Sequence, residues 1–219
     1  MFDFRVKRAT PTPAAPLRAG RGRRCYGPGM TGWDARGVRA RIREMAADDP
    51  GRQRFGADTH RYGLAPPVPE AEIRAFEETH GIALPREYRS FVAEVGDGPA
   101  GPFHGVLPLT APRPEAGEEW AVDDEWREDR LPGRLAGPFP LTAPLPGPVR
   151  GPQAALTRGT LTLAERGCGV FLRLVLNGPR RGEVWQLDPD WGGFVPVSTG
   201  FHSWYTAWLE SPWLKDQLR

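Results

Sequence analysis

The sequence predicts an α+β fold, in which an antiparallel-rich sheet carries helices packed mostly on one side. Three observations predict it. Apolar residues recur at helical spacing in residues 34–95, short stretches rich in Val, Leu, Thr and aromatic residues fill residues 160–197, and helical spacing returns in residues 201–209. Segregated runs of helices and strands are typical of α+β domains.

The first helix is predicted from near Asp34 to before Pro50. Val38, Ile42 and Met45 are spaced i, i+4, i+7, which places one apolar stripe along it. The stripe predicts a helix with one buried face.

Two further helices are predicted to form a hairpin. One runs from about Pro69 to His80, buries Ile73 and Phe76, and is closed by Gly81, a residue that readily adopts the left-handed conformation of a helix end. The next opens at Pro85 and ends at Gly96. Its apolar positions are Tyr88, Phe91, Val92 and Val95.

The middle of the chain is predicted to be mostly irregular. A short strand is expected at Gly105–Leu109, after a Gly/Pro loop. From Ala111 to Pro152 no periodicity holds, and Pro and Gly recur throughout, so a long Pro-rich loop insertion is expected there.

The last third predicts an antiparallel meander followed by a helix. The strands are expected at Thr160–Ala164, Val170–Leu176, Glu183–Leu187 and Phe194–Val197, with turn residues between them. Ser198 or Thr199 is expected to cap the helix, and Pro212 to end or kink it. Its apolar stripe is Phe201, Trp204, Tyr205, Trp208 and Leu209, which we expect to pack on the sheet.

Composition argues against several classes of protein. No stretch approaches the ~18 apolar residues of a membrane span, and the N-terminus lacks the apolar core of a secretory signal, so a soluble, cytoplasmic protein is expected.

Cys25 and Cys168 lack disulfide or metal-ligand spacing, and Cys168 is expected to be a buried thiol in a tight Gly-Cys-Gly turn. The four histidines are scattered. We therefore expect no cofactor, no metal and no enzymatic activity.

Charge is unevenly distributed along the chain. Residues 1–30 carry seven basic side chains against Asp3, whereas residues 31–219 carry 22 basic and 26 acidic side chains. We interpret residues 1–29 as a basic disordered head that precedes a domain over residues 30–219. Two alternatives stay open: a head that tracks phosphates, and a start codon assigned upstream of Met30.

The most acidic segment runs from Glu115 to Asp129. It holds eight carboxylates and Arg127 as its one basic residue, with Trp120 and Trp126 among them. Acidic side chains with an aromatic anchor suit binding to a basic protein such as a nuclease-type toxin, although a solvated loop explains the same run of charge. The candidate partner-binding residues are Glu118, Glu119, Asp123, Asp124, Glu125 and Trp126.

A family resemblance runs through residues 58–209. It rests on Glu72-Ile73, Phe76-Glu77, His80-Gly81-Ile82, Leu84-Pro85, Tyr88, Phe91, Gly105-Val106-Leu107-Pro108-Leu109, Gly167-Cys168-Gly169, Asn177-Gly178-Pro179, Gly182, Val184-Trp185, Phe201, Trp204-Tyr205 and Trp208-Leu209. In this order and spacing, the chain resembles the SUKH superfamily of Smi/Knr cell-wall assembly regulators and bacterial immunity proteins. Val68-Pro69 stands where relatives often have a capping Ser or Thr.

The resemblance implies a function in protein binding, with no catalytic residues to carry over. It implies an immunity protein that neutralises a cytoplasmic toxin of a bacterial polymorphic toxin system, and the alternative is a non-catalytic regulatory scaffold in cell-wall or envelope control. A protein partner is expected, while nucleic acid and membrane partners are not. The Trp and Tyr stripe of the last helix could stack on bases, but core packing explains it better.

A chain that begins at Met30 is expected to be as stable as the full chain. The composition of the head offers no apolar face that could offset the entropy lost on ordering it. The measurement is the thermal unfolding midpoint of both chains. A clear fall on truncation would mean that the head packs on the domain.

Overall fold

The computed structural model describes residues 32–110 and 124–212 of the 219-residue chain. The helices are α1 (Ala35–Asp48), α2 (Ala57–His60), α3 (Glu70–His80), α4 (Arg86–Glu94), α5 (Asp124–Asp129) and α6 (Phe201–Glu210). The strands are β1 (Thr160–Gly167), β2 (Val170–Val175), β3 (Val184–Asp188) and β4 (Gly193–Ser198). The α+β prediction is confirmed. No helix among these described residues is long and apolar enough to cross a bilayer.

Helix α1 follows the predicted pattern. The Asp34 side chain accepts a hydrogen bond from the Gly37 N–H at 2.9 Å, so it caps the helix at its start. Val38, Ile42 and Met45 are buried, as their spacing predicts.

Helices α3 and α4 form the predicted hairpin. Gly81 ends α3 with a φ of 63°, a left-handed conformation that costs glycine little. Arg89 of α4 then ties the two helices together, because its guanidinium lies 2.7 Å from the Glu70 carboxylate and 3.2 Å from that of Glu77. Glu77 also accepts the N–H of Leu84 in the connection, which fixes the angle between the helices.

The sheet is a meander of order β1-β2-β3-β4, with every neighbouring pair antiparallel. Arg173 pairs with Trp185 near its centre. The β1–β2 register shifts twice, which makes Leu163 and Arg166 the extra residues of two β-bulges in β1. The four strands predicted for residues 160–197 are all present.

The hairpin turn between β1 and β2 corrects one expectation. Cys168 and Gly169 have φ values of 54° and 73°, as in the two-residue turns that match strand twist. The tight turn was predicted, but the Cys168 thiol is exposed and not buried. A residue at the tip of a two-residue turn points away from both strands, so the core has no place for it.

The segment beside β1 is also different from its prediction. Gly105–Leu109 is extended but forms no strand. The N–H of His104 donates to the Glu165 carbonyl at 3.2 Å, and that of Leu107 donates to the Leu163 carbonyl at 2.7 Å. Because the bulges in β1 break the regular spacing of its carbonyls, these bonds do not extend into a ladder. They nevertheless cover part of the β1 edge.

The opposite edge, β4, is covered in a similar way. Leu145 and Phe194 exchange both backbone hydrogen bonds, at 2.9 and 2.8 Å, as an isolated antiparallel bridge. Further along β4, Pro196 has no N–H to offer a new strand. Both edges of the sheet are therefore partly closed.

Each face of the sheet carries its own apolar core. The first face packs against α1, α3, α4 and α6 through Leu161, Leu163, Leu172, Leu174 and Val184. The second face contributes Val175, Trp185, Leu187 and Phe194, covered by Phe139, Leu141, Val149 and Leu156. Helices thus lie mostly on one side, as predicted, and the described part of the Pro-rich segment, residues 124–152, lies on the other side. That segment was predicted to be wholly loop, but it also contains α5.

Helix α6 supplies the aromatic centre of the first core. Its buried residues are Phe201, Trp204, Tyr205 and Leu209, while Trp208 is partly buried against the same core. The Tyr205 ring lies 4.6 Å from that of Phe91 and 5.8 Å from that of Trp33. The helix therefore contacts α4 and the segment just before α1 through aromatic rings, and the stripe is core, as predicted.

The cap of α6 differs from the prediction. Gly200 occupies the N-cap position, so neither Ser198 nor Thr199 caps the helix. The N–H of His202 donates instead to the Glu87 carboxylate of α4, at 2.9 Å. A carboxylate at a helix start is favourable because the unpaired N–H groups there carry partial positive charge. The sequence could not show this cap because it comes from a distant helix.

Truncating Trp204 to Ala is expected to destabilise the fold by about 3 to 5 kcal/mol, as for other buried aromatic residues. Trp204 is 9% exposed and its ring lies 5.7 Å from that of Phe201. Urea unfolding of Trp204→Ala measures the change, with Trp191→Ala as the matched control because Trp191 is 84% exposed. Equal losses for the two variants would contradict the assignment of Trp204 to the core.

Candidate partner-binding surface

The acidic segment singled out from the sequence ends in α5, which lies against strand β1. Asp124, Glu125 and Trp126 form its first half. Glu118, Glu119, Asp123 and the neighbouring Trp120 lie outside the described residues. The geometry of the surface is therefore given by α5 and by what holds it.

The buried guanidinium of Arg173 holds α5 in place. Arg173 lies on β2 and is fully buried, and its side chain pairs with the carboxylates of Glu125 (2.9 Å) and Asp129. Its Nε also donates to the Thr160 hydroxyl at 2.8 Å. A charge out of water needs such partners, because desolvation without them costs several kcal/mol.

Asp129 joins the same network to the edge of the sheet. It is 1% exposed, and its second carboxylate oxygen accepts both the N–H and the hydroxyl of Thr162, each at 2.6 Å. One carboxylate thus neutralises Arg173 and satisfies a backbone donor of β1. Loss of that single charge would leave buried Arg173 with Glu125 as its one remaining carboxylate.

A second set of contacts fixes the other side of α5. The Trp126 indole N–H donates to the Pro108 carbonyl at 2.6 Å, and the Arg130 guanidinium lies 3.4 Å from the Trp126 ring centre. Arg130 also donates to the carbonyls of Pro108 and Leu109, at 3.1 and 2.8 Å. Burial lowers the pKa of Arg130 to about 10, which leaves it protonated at neutral pH. Trp126 is therefore half-buried.

The loop that receives these contacts is itself held by Asp97. This buried carboxylate accepts the N–H of Leu109 at 2.6 Å and the hydroxyl of Thr110 at 2.8 Å. Burial raises the pKa of Asp97, and these hydrogen bonds oppose the increase. The support for α5 thus extends to residues that sequence patterns did not single out.

The outward side of α5 remains open. The side chains of Asp124 and Arg127 are 100% and 61% exposed, with an ion pair of 3.0 Å between them. Leu131, just beyond the helix, is 53% exposed although it is apolar. The Glu125 carboxylate points inward, and burial raises its pKa, partly offset by Arg173. Among the described candidates, Asp124 is the one fully exposed to a partner.

The histidines occupy separate places. His60 is buried, its Nδ1 accepts the Tyr62 N–H at 3.0 Å, and burial lowers its pKa to about 4. His104 bonds to Thr59, and His202 lies against Trp33. Within residues 32–110 and 124–212, no three His, Cys, Asp or Glu side chains come together as a metal site would need.

Comparison of the chain with protein-family models, with curated proteins and with solved structures finds no match.

The residues that hold α5 had a weak signal in the sequence. Arg173 interrupts an otherwise apolar strand, and a charge at such a position requires a carboxylate from elsewhere. Glu125 and Asp129 are four residues apart, one helical turn, which is the spacing that brings two carboxylates to one site. Read together, these two patterns indicate the ion-pair network.

Replacing Asp129 by Asn is expected to lower the free energy of unfolding by about 3 to 5 kcal/mol, because it leaves the Arg173 charge buried with one carboxylate fewer. The control is Asp124→Asn in the same helix, which we expect to change stability by less than about 0.5 kcal/mol because that side chain is exposed. Urea unfolding followed by tryptophan fluorescence measures both. Similar values for the two variants would contradict a stabilising role for the network.

Proposed function

We propose that this chain is a non-catalytic, SUKH-like protein-binding domain that acts as an immunity protein, neutralising a basic toxin in the cytoplasm. The observation that carries the proposal is the arrangement of α5. Its inner side is fixed by buried ion pairs, and Asp124, fully exposed, continues the acidic segment on its outer side.

The order of elements supports the domain type. A helical hairpin, a four-stranded antiparallel meander and a final aromatic helix follow one another. Of the residues that carry the resemblance, Ile73, Phe76, Tyr88 and Phe91 lie on the hairpin helices, Val184 and Trp185 on β3, and Phe201, Trp204, Tyr205, Trp208 and Leu209 on α6. The fold alone does not determine function, so the weight of the proposal rests on the surface.

Charge supports the class of partner. Nucleases and other proteins that hold phosphate are commonly basic, and an opposite potential steers such partners to their site. Glu118, Glu119 and Asp123 lie within six residues before Asp124, the first residue of α5, so these four carboxylates are close together in the sequence. A basic toxin surface would be both attracted and covered by this segment.

A rigid support for α5 favours tight binding of a partner to the acidic segment. A partner that binds a preorganised surface loses less conformational entropy than one that must order a loop. Trp126 and Glu125 then contribute chiefly by holding α5, through Pro108 and Arg173. Leu131, just beyond the end of α5, is an exposed apolar residue that a partner could contact next to these charges.

Neutralising Glu118, Glu119, Asp123 and Asp124 together, as Gln or Asn, is expected to slow association with the toxin about tenfold and to weaken its salt dependence. Dissociation should change little, because exposed charges act mainly on encounter and are screened over ~8 Å at physiological salt. The measurement is association and dissociation kinetics at two salt concentrations. The partner is the toxin encoded beside the gene or recovered by pull-down from the native cytoplasm.

A matched variant separates this effect from net charge. Asp48, Glu78, Asp190 and Glu210 are exposed acids elsewhere, and neutralising them removes the same four charges. Neither variant should shift the unfolding midpoint. If the two slow association equally, or if neither does, the acidic segment is not the steering surface. If the chain fails to protect cells that express the partner, the immunity proposal is wrong.

A further inference from the structure

A second surface lies where the loop after α1 meets the hairpin between β1 and β2. Phe55 is 63% exposed although it is a large apolar residue. Its ring lies 5.1 Å from that of His104 and 6.5 Å from that of Phe103. The Arg166 guanidinium lies 5.3 Å from the Phe103 ring centre. We call Phe55, Phe103, His104 and Arg166 the aromatic-basic patch.

The backbone under the patch is tightly fixed. Gly56 has a φ of 77°, and a Cβ placed there would lie 1.8 Å from the Phe103 carbonyl oxygen. Phe103 itself has a φ of 58°, which is unfavourable for a residue with a bulky side chain. Strained residues of this kind persist where the surroundings hold them, and they are concentrated in binding and active sites. A bond between the Thr59 hydroxyl and His104 Nδ1, 3.2 Å long, closes the patch.

A β-bulge directs Arg166 towards this surface. Arg166 is the extra residue between Glu165 and Gly167 in the β1–β2 register. Bulges of this kind redirect a side chain that regular pleating would aim elsewhere. The exposed Arg166 side chain donates to Gln186 at 2.8 Å, and its guanidinium lies beside the half-buried Phe103 ring.

The patch carries the positive charge of Arg166, and the chain segments that form it are basic in sequence although the domain is mildly acidic. Of the other arginines in these segments, Arg54 donates to Ser211. Residues 52–61, 103–105 and 165–168 together hold four arginines against two acids, a net charge of +2, whereas residues 31–219 have a net charge of 22 − 26 = −4. The arginines are Arg52, Arg54, Arg61 and Arg166, and the acids are Asp58 and Glu165. The net charge of these segments is therefore opposite in sign to that of the acidic segment.

We propose that the aromatic-basic patch binds a carboxylate-bearing segment of a partner protein through an apolar side chain placed on Phe55. Exposed aromatic residues on a rigid base are typical energetic centres of protein interfaces. The planar guanidinium of Arg166 can donate two parallel hydrogen bonds to a carboxylate while it stacks on Phe103. This proposal does not rest on the one above, because it concerns another surface and a partner of opposite charge.

The test uses four capped, fluorescently labelled hexapeptides: Asp-Glu-Phe-Leu-Asp-Glu, its neutral form Asn-Gln-Phe-Leu-Asn-Gln, its alanine form Asp-Glu-Ala-Ala-Asp-Glu and its basic form Lys-Arg-Phe-Leu-Lys-Arg. Fluorescence anisotropy with the full chain gives the affinities. The first peptide is expected to bind at least about tenfold more tightly than each of the other three, since both charge and apolar anchor contribute.

Variants of exposed residues locate the site without disturbing the fold. Phe55→Ser and Arg166→Gln should each weaken the first peptide about tenfold. Trp191→Ser and Arg127→Gln are matched controls, an exposed aromatic residue and an exposed arginine elsewhere, and should leave binding unchanged. Saturating peptide should also slow alkylation of the exposed Cys168 thiol, two residues from Arg166, in a Cys25→Ser background.

Three outcomes would overturn the proposal. The first is equal binding of all four peptides, or none with the acidic one. The second is binding that the two patch variants leave intact. The third is tighter binding of a twelve-nucleotide oligo(dT) than of the acidic peptide, lost in Phe55→Ser, since stacking on an aromatic ring beside arginines also suits single strands. Failure here leaves the kinetics of the acidic segment unaffected, so the two proposals can fail separately.

Discussion

The buried charge of Arg173 is the constraint on which the second side of the domain depends. A buried guanidinium at the centre of a sheet needs carboxylates to pair with it. Both of its partners here, Glu125 and Asp129, come from α5. The position of α5 in turn places Trp126 and Arg130 against the carbonyl of Pro108. One ionised side chain therefore fixes α5, and with it the start of the described part of the Pro-rich segment, against the sheet.

Arginine performs a related task at the ends of helices. The last carbonyls of a helix have no partner within it, and a guanidinium with five donors can satisfy several. Arg39 donates to the carbonyls of Glu94 and Val95 at the end of α4, and Arg41 donates to that of Leu209 near the end of α6. Neither α4 nor α6 ends in a glycine cap, so contacts between elements replace local ones.

Much of the fold was predictable because its signals are local. Helical spacing in α1, α3, α4 and α6 and the turn residues between strands indicated those elements. Two predictions were wrong because they depend on distant residues: the cap of α6, which comes from Glu87, and the strand at Gly105–Leu109. Helix α5 was missed for a different reason, because it is too short and polar to show helical periodicity. In the candidate site, the inward positions of Glu125 and Trp126 were hidden for the same reason, since their partners lie 48 and 18 residues away.

The partly closed edges of the sheet limit how another chain can be recognised. Proteins often capture an extended peptide by pairing it with a free edge strand, and the same free edge invites fibrous aggregation. Here one edge is occupied by bonds from His104 and Leu107, and the other by Leu145 and a proline. Main-chain pairing is thereby discouraged on both flanks. Selectivity for a partner must then be encoded in side chains, where a few substitutions can change it while the sheet stays intact.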